Sequence, residues 1–235
     1  MVATAVLKFS KNDPSEQRSD SVQNFCMRIR KGSKKFRKII SEPHISSVSN
    51  NIKKFSEIID LTINGENSAK LNSLWTLNFL DNQTKTFTFK FHNNILGLNS
   101  RVSHFVRNHS PNCTFCDLTK NPSENRESFI HLFFECPTVE ELLTGYGTWI
   151  KGGNIEIGRR EFFTLAATEN LTRDYIFNIS NLLVKKFIWD SKQRFTIPKL
   201  NDLKLFLKSE VRTFSNISKN FQKKLETSGL ANILL

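Results

Sequence analysis

Apolar side chains recur every three or four residues through the second half of the chain, which is the spacing of one helix face. The longest such pattern runs from Leu171 to about Lys192. Its predicted face carries Tyr175, Ile176, Ile179, Leu182, Leu183, Lys186 or Phe187, and Asp190. Lys185 and Lys192 fall outside that face, so we expect both to lie on the outer side of the helix. Pro198 ends the pattern, and a further helix is predicted from about Leu200.

Shorter patterns predict helices in other parts of the chain. Helices are expected over 52–61 and 159–167, and Pro137 suits the first turn of a helix that extends to Leu143. Residues 84–95 fit either a helix or a strand, because apolar and polar residues alternate from Thr86 to Phe91. The glycines after Leu143 indicate a loose connection: Gly145, Gly147, Gly152 and Gly153. Together these patterns predict a mainly α fold.

The first fifth of the chain differs from the rest in composition. The polar stretch 41–50 is typical of a linker, so we predict a flexible basic arm and linker over 1–49 and a helical domain over 50–235. Seven cations and no acid fall within eleven residues of the arm: Arg28, Arg30, Lys31, Lys34, Lys35, Arg37 and Lys38. Such a cluster neutralises phosphates or acts as a nuclear address, whereas the alternative is a solvated linker.

Three of the four cysteines fall in one motif, Cys113-x2-Cys116-x14-His131-x4-Cys136. This spacing is typical of zinc sites, and four protein ligands leave no position for water, so a structural zinc is expected. The motif defines a zinc knuckle over 110–137, followed by C-terminal helices over 158–224. The alternatives are free thiols, His109 as a ligand in place of His131, or a disulfide between Cys113 and Cys116.

Charge and hydropathy bound the class of partner. The net charge of +12 and the pI near 9.7 indicate attraction to a polyanion, with nucleic acid favoured over a merely basic surface. Asn99 or Ser100 would cap a helix that places Arg101 and Arg107 just before the knuckle. Phe115 would either stack on an unpaired base or pack against the metal loop. No apolar run reaches membrane-spanning length, and we expect an intracellular protein of nucleus or cytoplasm.

Several segments around the motif resemble one known family. They read Phe89-Lys90-Phe91-His92-Asn93-Asn94-Ile95-Leu96, then Ser110-Pro111-Asn112-Cys113-Thr114-Phe115-Cys116, then Glu127-Ser128-Phe129-Ile130-His131-Leu132-Phe133-Phe134-Glu135-Cys136-Pro137. They are similar to the zinc-binding region that follows the polymerase domain in reverse transcriptases of non-LTR (LINE-type) retrotransposons. The resemblance covers roughly 74–211. It implies helix over 84–95, RNA or DNA as partner, and the polymerase part of a retroelement protein as a further partner.

The chain lacks the catalytic motifs of that family. It contains no Asp-Asp dipeptide for polymerase magnesium, and no carboxylate cluster with the spacing of a restriction-like nuclease is recognisable. The sequence therefore predicts a non-catalytic, nucleic-acid-binding zinc-knuckle module. The alternatives are a zinc-stabilised protein-interaction scaffold, a decayed retroelement fragment, and a nuclease with an unrecognised acidic cluster.

Overall fold

The structure, a computed structural model, describes residues 50–61, 74, 77–120, 126–152, 157–164, 166 and 170–235. The predicted basic arm over 1–49, including its seven cations, lies outside the described residues. Ser46 to Leu235 form one compact unit. The described helices are α1 (Asn50–Ile59), α2 (Asn82–His92), α3 (Asn99–Val102), α4 (Thr114–Leu118), α5 (Pro137–Lys151), α6 (Arg159–Phe163), α7 (Leu171–Gln193), α8 (Leu200–Ile217), α9 (Lys219–Thr227) and α10 (Ala231–Leu234), with a π-helical turn over His131–Glu135.

The predicted mainly α fold is confirmed. Within the described ranges the chain forms no strand, and its extended pairing is an isolated bridge between Asn112 and Arg126. The same part of the chain contains no helix long and apolar enough to cross a membrane.

Helix α7 is the central element, and neighbours surround it on most sides. Its predicted extent is confirmed, and α2, α8 and α9 all pack against it. Asn170 caps its first turn by accepting a hydrogen bond from the Arg173 N–H at 2.9 Å. Fifteen of its 23 residues are buried, among them several polar ones. A helix buried on most sides needs partners for those polar groups.

Neighbouring segments supply those partners. The Asn178 side chain pairs with the backbone of Ala166, whose N–H donates to Asn178 Oδ1 at 2.8 Å. Asn181 Oδ1 accepts from the buried Tyr146 hydroxyl at 3.0 Å. These bonds fix α7 against α5 and against the segment that follows α6.

The prediction that Lys185 and Lys192 lie on the outer side of α7 is wrong. The exposed fractions of the two side chains are 3% and 5%. Neighbours cover the side of α7 that the periodicity left polar, so no solvent face exists at either position. The Lys185 ammonium lies over the rings of Phe91 and Phe162, 5.3 and 5.1 Å from their centroids. Burial lowers the pKa of Lys185 to about 7.

Residues 82–92 form helix α2, so the helical alternative for this segment is confirmed. Asp81 caps the helix by accepting from the Thr84 N–H at 2.6 Å, and the Thr88 hydroxyl donates to the Thr84 carbonyl at 2.7 Å. The helix buries Phe87 and Phe91, four residues apart, on one face. Tertiary packing of that face overrides the strand-like alternation.

The prediction of a loose connection after Leu143 is partly wrong, because α5 continues through Gly145 and Gly147 to Lys151. Gly145 lies against α8: a Cβ built at Gly145 would stand 2.7 Å from Leu200 Cδ2. Glycine therefore permits this close approach of α5 to α8. Gly152 ends the helix with a φ of +76°, a backbone conformation that glycine adopts readily.

Aromatic side chains fill the core beside the knuckle. Phe91 is fully buried, and its ring centroid lies 4.8 Å from that of Phe129 and 4.9 Å from that of Phe133. Phe55 of α1 packs on Phe91 at 5.7 Å. Aromatic pairs at these separations add stabilisation beyond their buried area. The segment that carries His131 is thereby fixed to α1 and α2.

Helix α3 is shorter than predicted. It ends at Val102, so Phe105 and Arg107 lie in the turns that follow it rather than on a helix. Its N-cap position is Leu98, not Asn99 or Ser100. The side chain of Asn99 instead contacts residues 111–118, the segment that carries Cys113 and Cys116 and is called the metal loop below.

Candidate metal centre

The four side chains of the predicted motif converge in the interior. One ligand atom from each of Cys113, Cys116, His131 and Cys136 lies within 4.8 Å of the other three, and all four residues are buried. Cys136 Sγ is 3.8 Å from Cys113 Sγ and 3.7 Å from Cys116 Sγ. His131 Nε2 is 3.4 Å from Cys116 Sγ. These four residues are therefore close enough together to hold one metal ion.

The separations fit a tetrahedral ion. Metal–sulfur bonds of about 2.3 Å at tetrahedral angles place two sulfurs about 3.8 Å apart, and a nitrogen ligand about 3.5 Å from a sulfur. The observed edges of 3.8, 3.7 and 3.4 Å agree with both values. Because all four positions come from the protein, a tetrahedral ion here would have no open site for a substrate.

Two of the ligands occupy helix N-termini. Cys113 is the N-cap of α4, and its carbonyl accepts from the Asp117 N–H at 3.0 Å. Cys136 is the N-cap of α5, and its carbonyl accepts from the N–H groups of Val139 and Glu140 at 2.8 Å each. At Cys136 the N–H groups of the first turn of α5 favour the thiolate, and the thiolate is the form that binds metal.

The π-helical turn brings His131 and Cys136 to the same side. Residues five apart point roughly 140° from one another on an α-helix of 3.6 residues per turn. Here the Cys136 N–H donates to the His131 carbonyl at 2.8 Å, an i to i+5 bond that widens the turn. The wider turn directs both ligands at the same point.

The cluster shares protons in a way that suits a divalent cation. The pKa of Cys136 is lowered to about 4 despite its burial. The main cause is a hydrogen bond from Cys113, and further bonds come from His131 and from the backbone N–H groups of Val139 and Thr138. The bond to Cys136 and burial raise the pKa of Cys113. The hydrogen bond from Cys113 Sγ to Cys136 Sγ therefore favours the thiolate form at Cys136. A bound cation would displace the shared proton.

A buried carboxylate supports the metal loop from behind. Glu127 is fully buried, and its Oε2 accepts from the N–H and the hydroxyl of Thr114, both at 3.2 Å. Its Oε1 accepts from the Asn99 N–H at 2.7 Å and pairs with Lys192 Nζ at 3.0 Å. Lys192 also donates to the Gly97 carbonyl at 3.1 Å. One carboxylate therefore joins the metal loop, the start of α3 and the end of α7.

His109, the alternative ligand, lies outside the cluster. Its Nε2 donates to Asn99 Oδ1 at 3.3 Å. The side-chain nitrogen Nδ2 of Asn99 donates to the Asn112 carbonyl at 2.8 Å and to the Thr114 hydroxyl at 3.1 Å. His109 thus supports the loop that carries Cys113, and His131 completes the cluster.

Comparisons with protein families, curated proteins and solved structures found no match to this chain. The function is therefore inferred from the geometry of the site and from the residues around it.

The nucleic-acid contacts predicted near the knuckle have different environments. The ring of Phe115 is fully buried, so its prediction as a base-stacking residue is wrong and the packing alternative describes it. Arg101 is half-buried and donates to the Asn94 carbonyl. Arg107 is exposed. Phe115 lies between Cys113 and Cys116, and its burial leaves no face of the ring open to a base.

Sequence reasoning missed the supporting groups. Glu127 and Lys192 stand 65 positions apart in the chain and belong to different periodic patterns. No local signal distinguishes Glu127 from the other acidic residues of the chain. Only a charged residue within an apolar helix, as at Lys192, hints at a buried partner.

Proposed function

We propose that the Cys3His cluster holds a structural zinc ion and that the chain is a non-catalytic module that binds RNA or DNA. The donor set supports zinc, because thiolate and imidazole ligands in a closed tetrahedron are typical of structural zinc sites. Zinc would fix the loop that carries Cys113 and Cys116 against the first turn of α5.

The observation that carries the nucleic-acid part of the proposal is the charge of the segment leading into the metal loop. Residues 82–116 contain four lysines and arginines and no aspartate or glutamate: Lys85, Lys90, Arg101 and Arg107. Of these, Arg107 and Lys90 are exposed. Exposed cations attract phosphate groups and accelerate association with a polyanion. The resemblance to the post-polymerase region of non-LTR reverse transcriptases agrees with this function and stays a hypothesis.

Two measurements on the purified full chain test the proposal. Elemental analysis of protein prepared with zinc and without chelator should give one zinc ion per chain. Fluorescence-anisotropy titrations with RNA and DNA oligonucleotides should show log Kd rising steeply with log salt, by about 0.7–0.9 for each phosphate neutralised.

Arg107→Gln should lower that salt slope by about 0.7–0.9, as loss of one phosphate contact requires. The matched control is Lys223→Gln, which removes an exposed cation from α9 and should leave the slope closer to that of the wild type. Protein without metal would refute the zinc site. Absent or salt-insensitive binding would refute nucleic acid as partner and favour a protein-interaction scaffold.

A further inference from the structure

The turn after α3 presents an aromatic ring to solvent beside the metal loop. Phe105 is 78% exposed, whereas most large apolar side chains of the described residues are buried. Val106, its neighbour, is also exposed. Single exposed apolar side chains are common on protein surfaces, so the surroundings of this ring decide whether it contacts a partner.

The backbone holds this turn in a defined conformation. The N–H groups of Phe105 and Val106 both donate to the Val102 carbonyl at 2.9 Å, and the His109 N–H donates to the Val106 carbonyl at 3.2 Å. Asn108 adopts a left-handed φ of +65°, which asparagine tolerates well. The ring of Phe105 therefore projects from a structured turn.

Two side-chain contacts join the turn to the metal loop. His109 bonds Asn99, whose amide reaches Asn112 and Thr114 beside Cys113. At the other end, the guanidinium of Arg126 lies 3.0 Å from His104 Nε2 and 3.4 Å from the Ser100 carbonyl. The metal loop and the aromatic turn consequently form one structural unit.

The turn 103–109 carries no acidic residue, and the exposed charged residues that belong to it or contact it are cations. Arg107 follows Phe105 by two residues and is exposed, and the exposed Arg126 contacts His104, the residue directly before Phe105. The nearest acidic residue in sequence on the C-terminal side is Asp117, twelve positions on, and on the N-terminal side it is Asp81. A solvent-exposed ring on a turn that carries one cation and contacts another combines a stacking surface for a base with contacts for the adjoining phosphates.

We propose that Phe105 stacks on an unpaired base of single-stranded nucleic acid, with Arg107 and Arg126 on neighbouring phosphates. This inference rests on the proposed function and specifies where and how the strand binds. Phe105 thus has the base-stacking role that the sequence predicted for Phe115, whose ring is buried. A base in a duplex has both faces covered, so the turn selects single strands over duplex of the same sequence.

The test compares variants at one exposed position. Phe105→Ala should weaken binding of a single-stranded RNA or DNA oligonucleotide about fivefold or more, because stacking on an aromatic ring is a strong contact. The salt slope should not change, since no charge is lost. Phe105→Tyr keeps a ring and should bind as the wild type does, whereas Phe105→Leu keeps only apolar bulk and should bind as weakly as the alanine variant.

Leu205→Ala is the control, because Leu205 is 69% exposed on α8 and has no ring. Circular dichroism and zinc content should be the same in all variants. The titrations use single-stranded RNA and single-stranded DNA, each compared with the duplex of the same sequence. They show which single strand the protein prefers.

The outcomes separate this inference from the proposed function. Salt-dependent wild-type binding with no loss in Phe105→Ala would overturn the stacking role and leave the proposed function in place. A leucine variant that binds like the wild type would also overturn it, because apolar bulk without a ring would then suffice, as at a protein interface. No oligonucleotide binding by the wild-type chain would overturn both.

Discussion

Cys136 serves two purposes at the scale of a single residue. Its sulfur lies in the cluster, and its carbonyl begins α5 by accepting from the N–H groups of Val139 and Glu140. Pro137, which has no N–H, occupies the first helical position, where no donor is needed. The position of the Cys136 sulfur in the cluster and the start of α5 therefore depend on the same backbone conformation.

Cys116→Ser should abolish stoichiometric metal binding, because a serine hydroxyl is a poor replacement for a thiolate. Helices α7 and α8 should keep their far-UV circular dichroism, since their buried faces pack on one another and on α9. His109→Ala is the matched control and should retain metal, because His109 bonds Asn99 instead. Full metal content in Cys116→Ser would show that the cluster is not the site.

No acidic side chain of the described residues pairs with the buried Lys185, so this lysine should make stability depend on pH. Burial lowers its pKa in the fold from 10.5 to about 7, so the unfolded chain binds more protons between these values. The free energy of unfolding should therefore rise with pH from about 7 to 9, by at most about 1.4 kcal/mol per pH unit from this group.

Lys185→Met should remove that rise and stabilise the fold at pH 7, as measured by urea denaturation at several pH values. His92, whose pKa burial and Lys185 lower to about 3, contributes in the same direction only below pH 6.5. A variant with the pH profile of the wild type would show that Lys185 is solvated in the fold.

At the scale of elements, α7 is tied to the metal loop through one ion pair. Lys192 near the end of α7 meets Glu127, whose other oxygen accepts both bonds from Thr114. A buried pair of this kind gives little net stability, but removing one partner leaves the other charge uncompensated. The pair thus positions the metal loop relative to α7, and mutation of either partner should destabilise the fold.

Lys192→Met should lower the free energy of unfolding by about 3–5 kcal/mol, because it leaves the Glu127 carboxylate buried without a cation. Adding Glu127→Gln should recover part of that loss, since a neutral amide needs no cation. Chemical denaturation of both single variants and the double variant gives the coupling energy. Strict additivity of the two changes would contradict the pairing.

At the scale of the whole molecule, the metal cluster belongs to the same hydrophobic core as the helices. Buried residues from Phe55 to Leu234, the three cysteine ligands among them, form one contiguous cluster. The C-terminal α10 contributes Leu234 to it, so the end of the chain packs on the core. The cluster is therefore part of the core rather than an independent appendage.

Removal of metal by a chelator should lower the thermal unfolding midpoint of the whole unit. Metal at 1,000 times its dissociation constant adds about 4 kcal/mol, which corresponds to roughly 10 °C for a unit of this size. Differential scanning calorimetry should show one transition that moves down with chelator and returns with added zinc. Two separate transitions would indicate that the metal loop unfolds on its own.

The sequence by itself determined the features that depend on local order. The ligand spacing of the motif, the extent of α7 and the mainly α fold all follow from periods and short motifs, because such signals are carried by residues close together in the chain. The same signals could not decide between helix and strand over 84–95, and they misplaced the end of α5.

Only the tertiary structure decided which polar and aromatic residues face solvent. Periodicity placed Lys185 and Lys192 outside α7, yet neighbours on that side bury both. Phe115 and Phe105 are the same residue type ten positions apart, and one is buried while the other is exposed. Burial depends on what distant segments pack against a residue, as Glu127 does with Lys192, and that information is absent from local sequence.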